Sequence, residues 1–184
     1  MKGRGAGFNP PNRFEQLKYQ PLELDVEYED ERPPFRTQFF DDTSRTILAK
    51  NDSPDISFTY SINPYRGCEH GCVYCYARPT HAYLGLSPGL DFESRLFYKP
   101  DAAEVLQREL ARPGYRVSPI AFGTNTDAYQ PVERRLRVMR ALLEVLAACE
   151  HPFTIVTKSA LVERDLDLLV PMARKNLVQV FLSV

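Results

Sequence analysis

The sequence predicts an α/β fold in which strands and helices alternate and the strands run parallel. Three observations lead to this reading. From about residue 55, short apolar or alternating runs are followed by longer stretches with helical periodicity. The repeat is about thirty residues, the spacing of strand–helix units in a parallel barrel. Four strands with three intervening connections then imply right-handed crossovers in one sheet.

Residues 56–62 alternate apolar and polar side chains and end at Asn63-Pro64, a strand stopped by a turn signal. Residues 80–98 are glycine-rich and irregular. Residues 101–112 predict a helix carried by Val105, Leu106 and Leu110 and ended by Pro113-Gly114. Residues 117–122 form a short apolar strand that runs into Gly123-Thr124-Asn125-Thr126-Asp127. Residues 131–150 predict one helix, with Leu136, Met139, Leu143 and Leu146 as its apolar stripe and Arg134, Arg135, Arg137 and Arg140 mostly on a solvated face. Cys149 continues the stripe and is expected to be a buried structural thiol. Residues 153–156 are the third strand, ending at Thr157-Lys158-Ser159. Residues 161–176 predict a helix that Pro171 should kink or divide. Residues 177–184 are the fourth strand, expected to leave an unpaired edge, from which the reading is that the barrel continues beyond this chain.

The first fifty residues differ in character. They hold Pro10-Pro11, Pro33-Pro34, a basic start and an acidic run from Glu23 to Glu31, with little hydrophobic periodicity. The expected organisation is an extended or partly disordered arm over 1–50 and a core domain over 51–184. Lys2-Gly3-Arg4-Gly5 is either a contact for nucleic acid or substrate, or, as expected, a solvated tail.

Composition narrows the class. The chain has 184 residues, 43% of them hydrophobic, and a formal net charge of -1, so it can bury a core but offers no charge argument for a polyanion partner. Four cysteines, three of them clustered, fit a reducing compartment better than a disulfide framework. With no signal-peptide core and no apolar run long enough to span a bilayer, the expected location is the cytoplasm.

The chemistry is concentrated in the stretch 66–79, where Cys68, Cys72 and Cys75 are spaced by three and then two residues, with Gly67 and Gly71 loosening the backbone. Three soft ligands on one short loop bind metal. A structural zinc ion takes four ligands, and His70 or His81 is available to complete such a set. An iron–sulfur cluster takes one thiolate per iron, so three cysteines on a four-iron cube leave one iron open. The loop follows a strand directly, and in a parallel barrel that end of the strands gathers the reactive groups.

The spacing, with Tyr74 just before the third cysteine, resembles the signature of the radical S-adenosylmethionine (radical SAM) enzymes. The wider run Asn63-Pro64-Tyr65-Arg66-Gly67-Cys68 and Tyr74-Cys75-Tyr76-Ala77-Arg78 resembles the branch related to spore photoproduct lyase. The resemblance implies a partial (β/α) barrel of six units, of which about the first four strands are present. It implies a 4Fe-4S cluster on Cys68, Cys72 and Cys75 and S-adenosyl-L-methionine (SAM) chelated at the open iron. Reductive cleavage there yields methionine and a 5'-deoxyadenosyl radical. An electron donor such as a flavodoxin or ferredoxin is implied as partner.

The resemblance also assigns SAM contacts. Where most members have Gly-Gly-Glu after the second strand, this chain has Gly123-Thr124-Asn125-Thr126-Asp127. Asp127 can accept from the SAM ammonium and Thr126 can orient it, while the plainer alternative for this stretch is a helix cap. Lys158 is expected to pair with the SAM carboxylate and Ser183 to touch SAM at the end of the fourth strand. Tyr74 and Tyr76 put aromatic surface against adenine. For substrate the branch suggests a pyrimidine lesion in DNA. Radical modification of RNA, a peptide or a small molecule, a zinc-stabilised binding module, and an inactive fragment are the alternatives.

Overall fold

The computed structural model describes residues 3–14 and 36–184. The acidic run, Pro33-Pro34, Phe35 and Lys2 lie outside the described residues. In chain order the strands and helices are β1 (Gln38–Asp41), β2 (Ala49–Lys50), β3 (Tyr60–Ile62), β4 (Tyr65–Arg66), α1 (Leu90–Ser94), β5 (Arg95–Tyr98), α2 (Ala102–Leu110), β6 (Ile120–Phe122), α3 (Glu133–Leu136), α4 (Val138–Ala148), β7 (Phe153–Thr157), α5 (Leu166–Arg174) and β8 (Val178–Leu182). Turns of 3-10 helix cover Arg78–Leu84 and Ala160–Asp165.

The main sheet has the order β2-β3-β6-β7-β8. Its four principal strands are mutually parallel, with β3 on β6, β6 on β7 and β7 on β8, while the two-residue β2 adds an antiparallel edge. The sheet is open, with β2 and β8 at its edges, and it has the strand–helix alternation of a partial barrel. Helix α4 packs against α2 and α5, and α5 packs against β8. Their apolar faces meet the sheet in one core that includes Ile62, Ile120, Phe122, Ile155, Leu106, Leu142 and Leu146, all essentially sealed from solvent. Burying each such side chain contributes roughly 1.5–3 kcal/mol.

Several expectations are corrected. The segment expected to be irregular, 80–98, contains a 3-10 turn, α1 and β5. β5 pairs in parallel with β1 and antiparallel with β4, forming a second sheet of order β1-β5-β4. The first fifty residues thus supply β1 to this sheet and β2 to the main one, and Ile47 lies in the core. Residues 56–59 lie outside β3, which is confined to Tyr60–Ile62.

The helix expected over 131–150 is two helices broken at Arg137, whose φ of 55° is left-handed. The break is stabilised by Glu133, whose carboxylate accepts from the backbone N–H groups of Met139 (3.0 Å) and Arg140 (3.3 Å) and so caps α4. Arg140 is not on a solvated face: it bridges Asp165 (3.3 Å) and Asp167 (2.7 Å) on the neighbouring element. Cys149 is exposed, not buried, because α4 stops at Ala148 and the cysteine turns out of the helical stripe. Its Sγ donates to the carbonyl of Val145 at 3.2 Å. Pro171 does not divide its helix: α5 runs through it, and the division falls earlier, at Asp165–Leu166.

Candidate functional site

The site begins where β3 ends. Asn63 turns back on the loop after β6: its Oδ1 accepts from the N–H of Asn125 at 2.9 Å, and its Nδ2 donates to the Thr124 hydroxyl at 3.0 Å. One side chain thus ties together two strand ends. The cysteine loop follows β4. Gly67 (φ 82°) and Gly71 (φ 62°) take left-handed conformations that glycine adopts without strain. At Gly67 a Cβ would also meet the carbonyl oxygen of Phe92 at 2.8 Å.

The loop is clamped through its backbone. Fully buried Gln130 accepts from the N–H of Glu69 (2.9 Å) and donates to the carbonyl of Gly67 (3.2 Å). The Cys68 N–H donates to the carbonyl of Phe92 at 2.9 Å, and the Cys75 N–H to that of Cys72 at 3.2 Å. Arg78 donates to the Cys72 carbonyl through Nε (3.2 Å) and Nη2 (3.0 Å). The ligand candidates are therefore held by their main chain, leaving the thiols free to face a common space.

That space is a cavity of about 220 Å³ lined by Cys68, Cys72 and Cys75 and by the C-terminal ends of the parallel strands. The loop after β6 contributes residues 123–127, the end of β7 contributes Val156, Thr157 and Lys158, and the residue after β8 contributes Ser183. All the residues proposed from the sequence, Tyr74, Tyr76, Thr126, Asp127, Lys158 and Ser183 included, line this cavity. They reach it from four different strand ends.

Their present partners differ. Asp127 is braced from several sides: Oδ1 accepts from the Thr157 hydroxyl (2.6 Å) and the Tyr129 N–H (2.9 Å), and Oδ2 from the Lys158 N–H (2.7 Å). Burial alone would raise its pKa, but His70 and these donors together hold the carboxyl below the usual carboxylate range. The Thr126 hydroxyl donates to the carbonyl of Tyr65 at 2.9 Å, so it fixes the start of the cysteine loop. Lys158 is exposed, donates through Nζ to Ser183 Oγ at 2.9 Å, and stands 5.4 Å from the centre of the Tyr74 ring. Contact with Tyr74 raises its pKa, which keeps it a full cation. Tyr74 and Tyr76 are largely exposed at the rim, and the Tyr76 hydroxyl donates to the carbonyl of Thr124.

The donor set fits an iron–sulfur cluster. The three thiols are reduced and face one cavity. Burial pushes the Cys68 thiol up to about 12, and coordination to a metal cation would favour its thiolate. A single zinc ion needs its ligands about 2.0–2.3 Å from one point. Among the described residues no three of His, Cys, Asp or Glu are grouped to hold a single metal ion.

The two histidines weighed as a fourth zinc ligand are placed differently. His70 lines the cavity, with Nε2 3.3 Å from Asp127 Oδ2 but not aligned for a good hydrogen bond. His81 is sealed from solvent, packs edge-on against Phe92 and turns Nε2 to the carbonyl of Arg95 at 2.9 Å. Residues missed from the sequence are those that hold rather than face the cavity: Asn63, Gln130, and Glu93 behind Arg78. Asn63 stands in a turn signal, where a side-chain oxygen accepting local N–H groups is common. Gln130 and Glu93 carry no local signal.

Similarity to known proteins agrees with this geometry. The family model described as the radical SAM superfamily matches residues 62–184. The chain is 42% identical over 153 residues to uncharacterized proteins of Mycobacterium bovis and Mycobacterium tuberculosis, an alignment covering 80% of this chain and 45% of each relative. It is 29% identical over 109 residues to an uncharacterized protein of Methanocaldococcus jannaschii, covering 59% of this chain and 39% of that one. The chain thus spans less than half the length of these relatives. No solved structure matches it significantly. The match over the sheet and its cysteine loop makes this chain a member of the radical SAM superfamily.

Proposed function

We propose that this chain forms the cluster- and SAM-binding part of a radical SAM enzyme, with a 4Fe-4S cluster on Cys68, Cys72 and Cys75. The observation that carries the reading is the convergence of three reduced cysteines with Asp127, Lys158 and Ser183 on one cavity at the C-terminal ends of parallel strands. When bound, the cluster and SAM supply a one-electron cleavage that yields methionine and a 5'-deoxyadenosyl radical.

The protein's part is binding and orientation. Lys158 offers a cation to the SAM carboxylate, with Ser183 fixing where its ammonium group points. Asp127 keeps an anionic wall on the adjacent strand end and orders the loop from which Thr126 braces Tyr65. Tyr74 and Tyr76 present aromatic faces at the mouth, and an adenine can stack there. Reducing equivalents would come from a flavodoxin- or ferredoxin-type donor.

Within the superfamily, we assign the chain to the branch related to spore photoproduct lyase. The run from Asn63 to Cys68 supports this, and Asn63 has a specific use in linking the loop after β6 to the cysteine loop. On that reading the substrate is a pyrimidine lesion in DNA.

The test is anaerobic reconstitution with iron and sulfide, chemical reduction with SAM present, and assay of 5'-deoxyadenosine. Product that disappears in C68A, C72A and C75A supports the reading. Zinc binding without cluster formation overturns it. Adding lesion-bearing and undamaged oligonucleotides then tests the branch: equal response to both removes the lesion substrate.

A further inference from the structure

Residues 4 and 5 lie against the cysteine loop and residues 9–12 along residues 82–91, and these contacts are too close and too specific for a solvated tail. Arg4 N–H donates to Glu93 Oε2 at 2.6 Å, and Gly5 N–H reaches both oxygens of the same carboxylate at 3.0 and 3.1 Å. Glu93 is fully buried. Its other partner is Arg78, at 2.6 Å, whose guanidinium also donates to the carbonyl of Cys72. A continuous chain of charge-assisted bonds therefore runs from the backbone of residues 4 and 5, through Glu93 and Arg78, to a cluster ligand.

Steric fit supports the same contact. A Cβ on Gly5 would lie 1.7 Å from the carbonyl oxygen of Gly71, and a Cβ on Gly71 would lie 2.4 Å from the Cβ of Arg4. The two backbones pass at a distance only glycine permits. Farther along, Asn9 and Asp91 exchange two hydrogen bonds of 2.9 Å. Ser87 donates to the carbonyl of Pro10 at 2.6 Å, and buried Asn12 donates to the carbonyls of Ala82 and Leu86.

We propose that residues 3–12 are a clasp that holds the cysteine loop in its cluster-receptive shape, with Glu93 as the positioning residue that joins clasp to ligand loop. Three ligands on a glycine-loosened loop lose conformational freedom when they bind a cluster, and a loop ordered beforehand loses less. The clasp supplies that order from outside the cavity. It touches neither SAM nor substrate, so its effect falls on how well the cluster is kept. The proposal rests on the cluster assignment above.

The experiment compares wild type with G5A, E93Q, N9A and G7A in the full chain. Amide hydrogen exchange is measured on the metal-free protein, and loss of the reconstituted cluster to an iron chelator is followed anaerobically. G5A forces the clasp off Gly71, and E93Q keeps the shape of the side chain but removes its charge. N9A weakens the far end of the clasp without leaving a charge buried. G7A is the control, because a Cβ there meets nothing within 4 Å.

The expected result is faster exchange in residues 67–76 for G5A and E93Q, with a global unfolding midpoint near wild type for G5A and a lowered one for E93Q, which leaves Arg78 without its buried partner. Their clusters should be lost about 10–100-fold faster, the usual scale for removing support behind a metal ligand. N9A should shift the same amides by less, and G7A should match wild type. Wild-type exchange and cluster retention in G5A would overturn the clasp. If wild type itself holds no cluster, the functional reading fails, and exchange in residues 67–76 alone then decides the clasp.

Discussion

The hydroxyl of Thr157 donates to Asp127 Oδ1 at 2.6 Å, joining the end of β7 to the loop after β6 at the floor of the candidate site. Both residues are buried or nearly so, and the carboxylate also takes the N–H groups of Tyr129 and Lys158. The site is therefore built across strands, with one carboxylate setting the spacing of two of them.

Replacing that hydroxyl tests the joint. T157V keeps the side-chain shape and removes the donor to Asp127, together with the acceptor of the Ser159 N–H (3.1 Å). A hydrogen bond to a charged group contributes about 1.5–3 kcal/mol, and the expected loss of stability is in that range. Denaturant unfolding with an unchanged m value checks it. A loss under about 0.5 kcal/mol would mean that the backbone donors alone hold Asp127.

Lys158 addresses the SAM contacts directly. On the proposed function, K158M should load a cluster as well as wild type and bind SAM at least about tenfold more weakly, equivalent to about 1.4 kcal/mol. Anaerobic calorimetry on reconstituted protein measures this. Unchanged affinity would leave Lys158 only its present partners, Ser183 and the Tyr74 ring.

A buried charge network stands behind the site. Arg164 lies 2.7 Å from both Glu133 and Asp165, each sealed from solvent. Tyr65, at the root of the cysteine loop, donates to Glu133, and Tyr129 donates to Asp165 at 3.0 Å. Removing one partner from a buried set leaves an uncompensated charge. R164M is expected to cost about 3–5 kcal/mol. Exposed Arg134, changed to methionine, should stay within about 0.5 kcal/mol. Unfolding midpoints of the two variants make the comparison, and similar losses would show that the network is not what matters.

What could be read from the sequence and what could not divide along a physical line. The parallel strands ending at Ile62, Phe122 and Thr157 were legible because each is an apolar or alternating run bounded by a turn, a local signal. Cys68, Cys72 and Cys75 were legible as one candidate site from their spacing, and the structure sets all three on one cavity. Lys158 and Ser183 followed from the rule that strand ends meet on one face.

The pairing of Gln38–Asp41 with Arg95–Tyr98 was not legible, since nothing within either segment names a partner so far along the chain. Nor was the break at Arg137, which depends on Glu133 folding back to cap α4. Cys149 was misplaced because helical periodicity was extended one residue past the point where the helix stops. The clasp was missed for a related reason: Lys2-Gly3-Arg4-Gly5 reads as a solvated tail and Gly71 as looseness, whereas here Gly5 and Gly71 permit backbones to touch.

His151 gives a prediction in pH. It is buried between α4 and β7, with Nδ1 2.9 Å from the carbonyl of Pro152 and Nε2 2.8 Å from the Tyr115 hydroxyl. A carbonyl only accepts, so Nδ1 carries the proton, and Nε2 of the neutral ring accepts from Tyr115. Burial lowers the pKa of this ring below the ordinary 6.5, against a smaller opposing effect from Pro152. The unfolded chain thus binds a proton at pH values where the folded chain does not. Stability from this group is full above about pH 6.5 and falls as pH drops toward the lower folded pKa, levelling off beneath it. H151Q should show a shallower loss of stability between pH 7.5 and pH 5 than wild type in denaturant titrations. Parallel pH profiles for the two proteins would show that His151 titrates alike in the folded and unfolded chain.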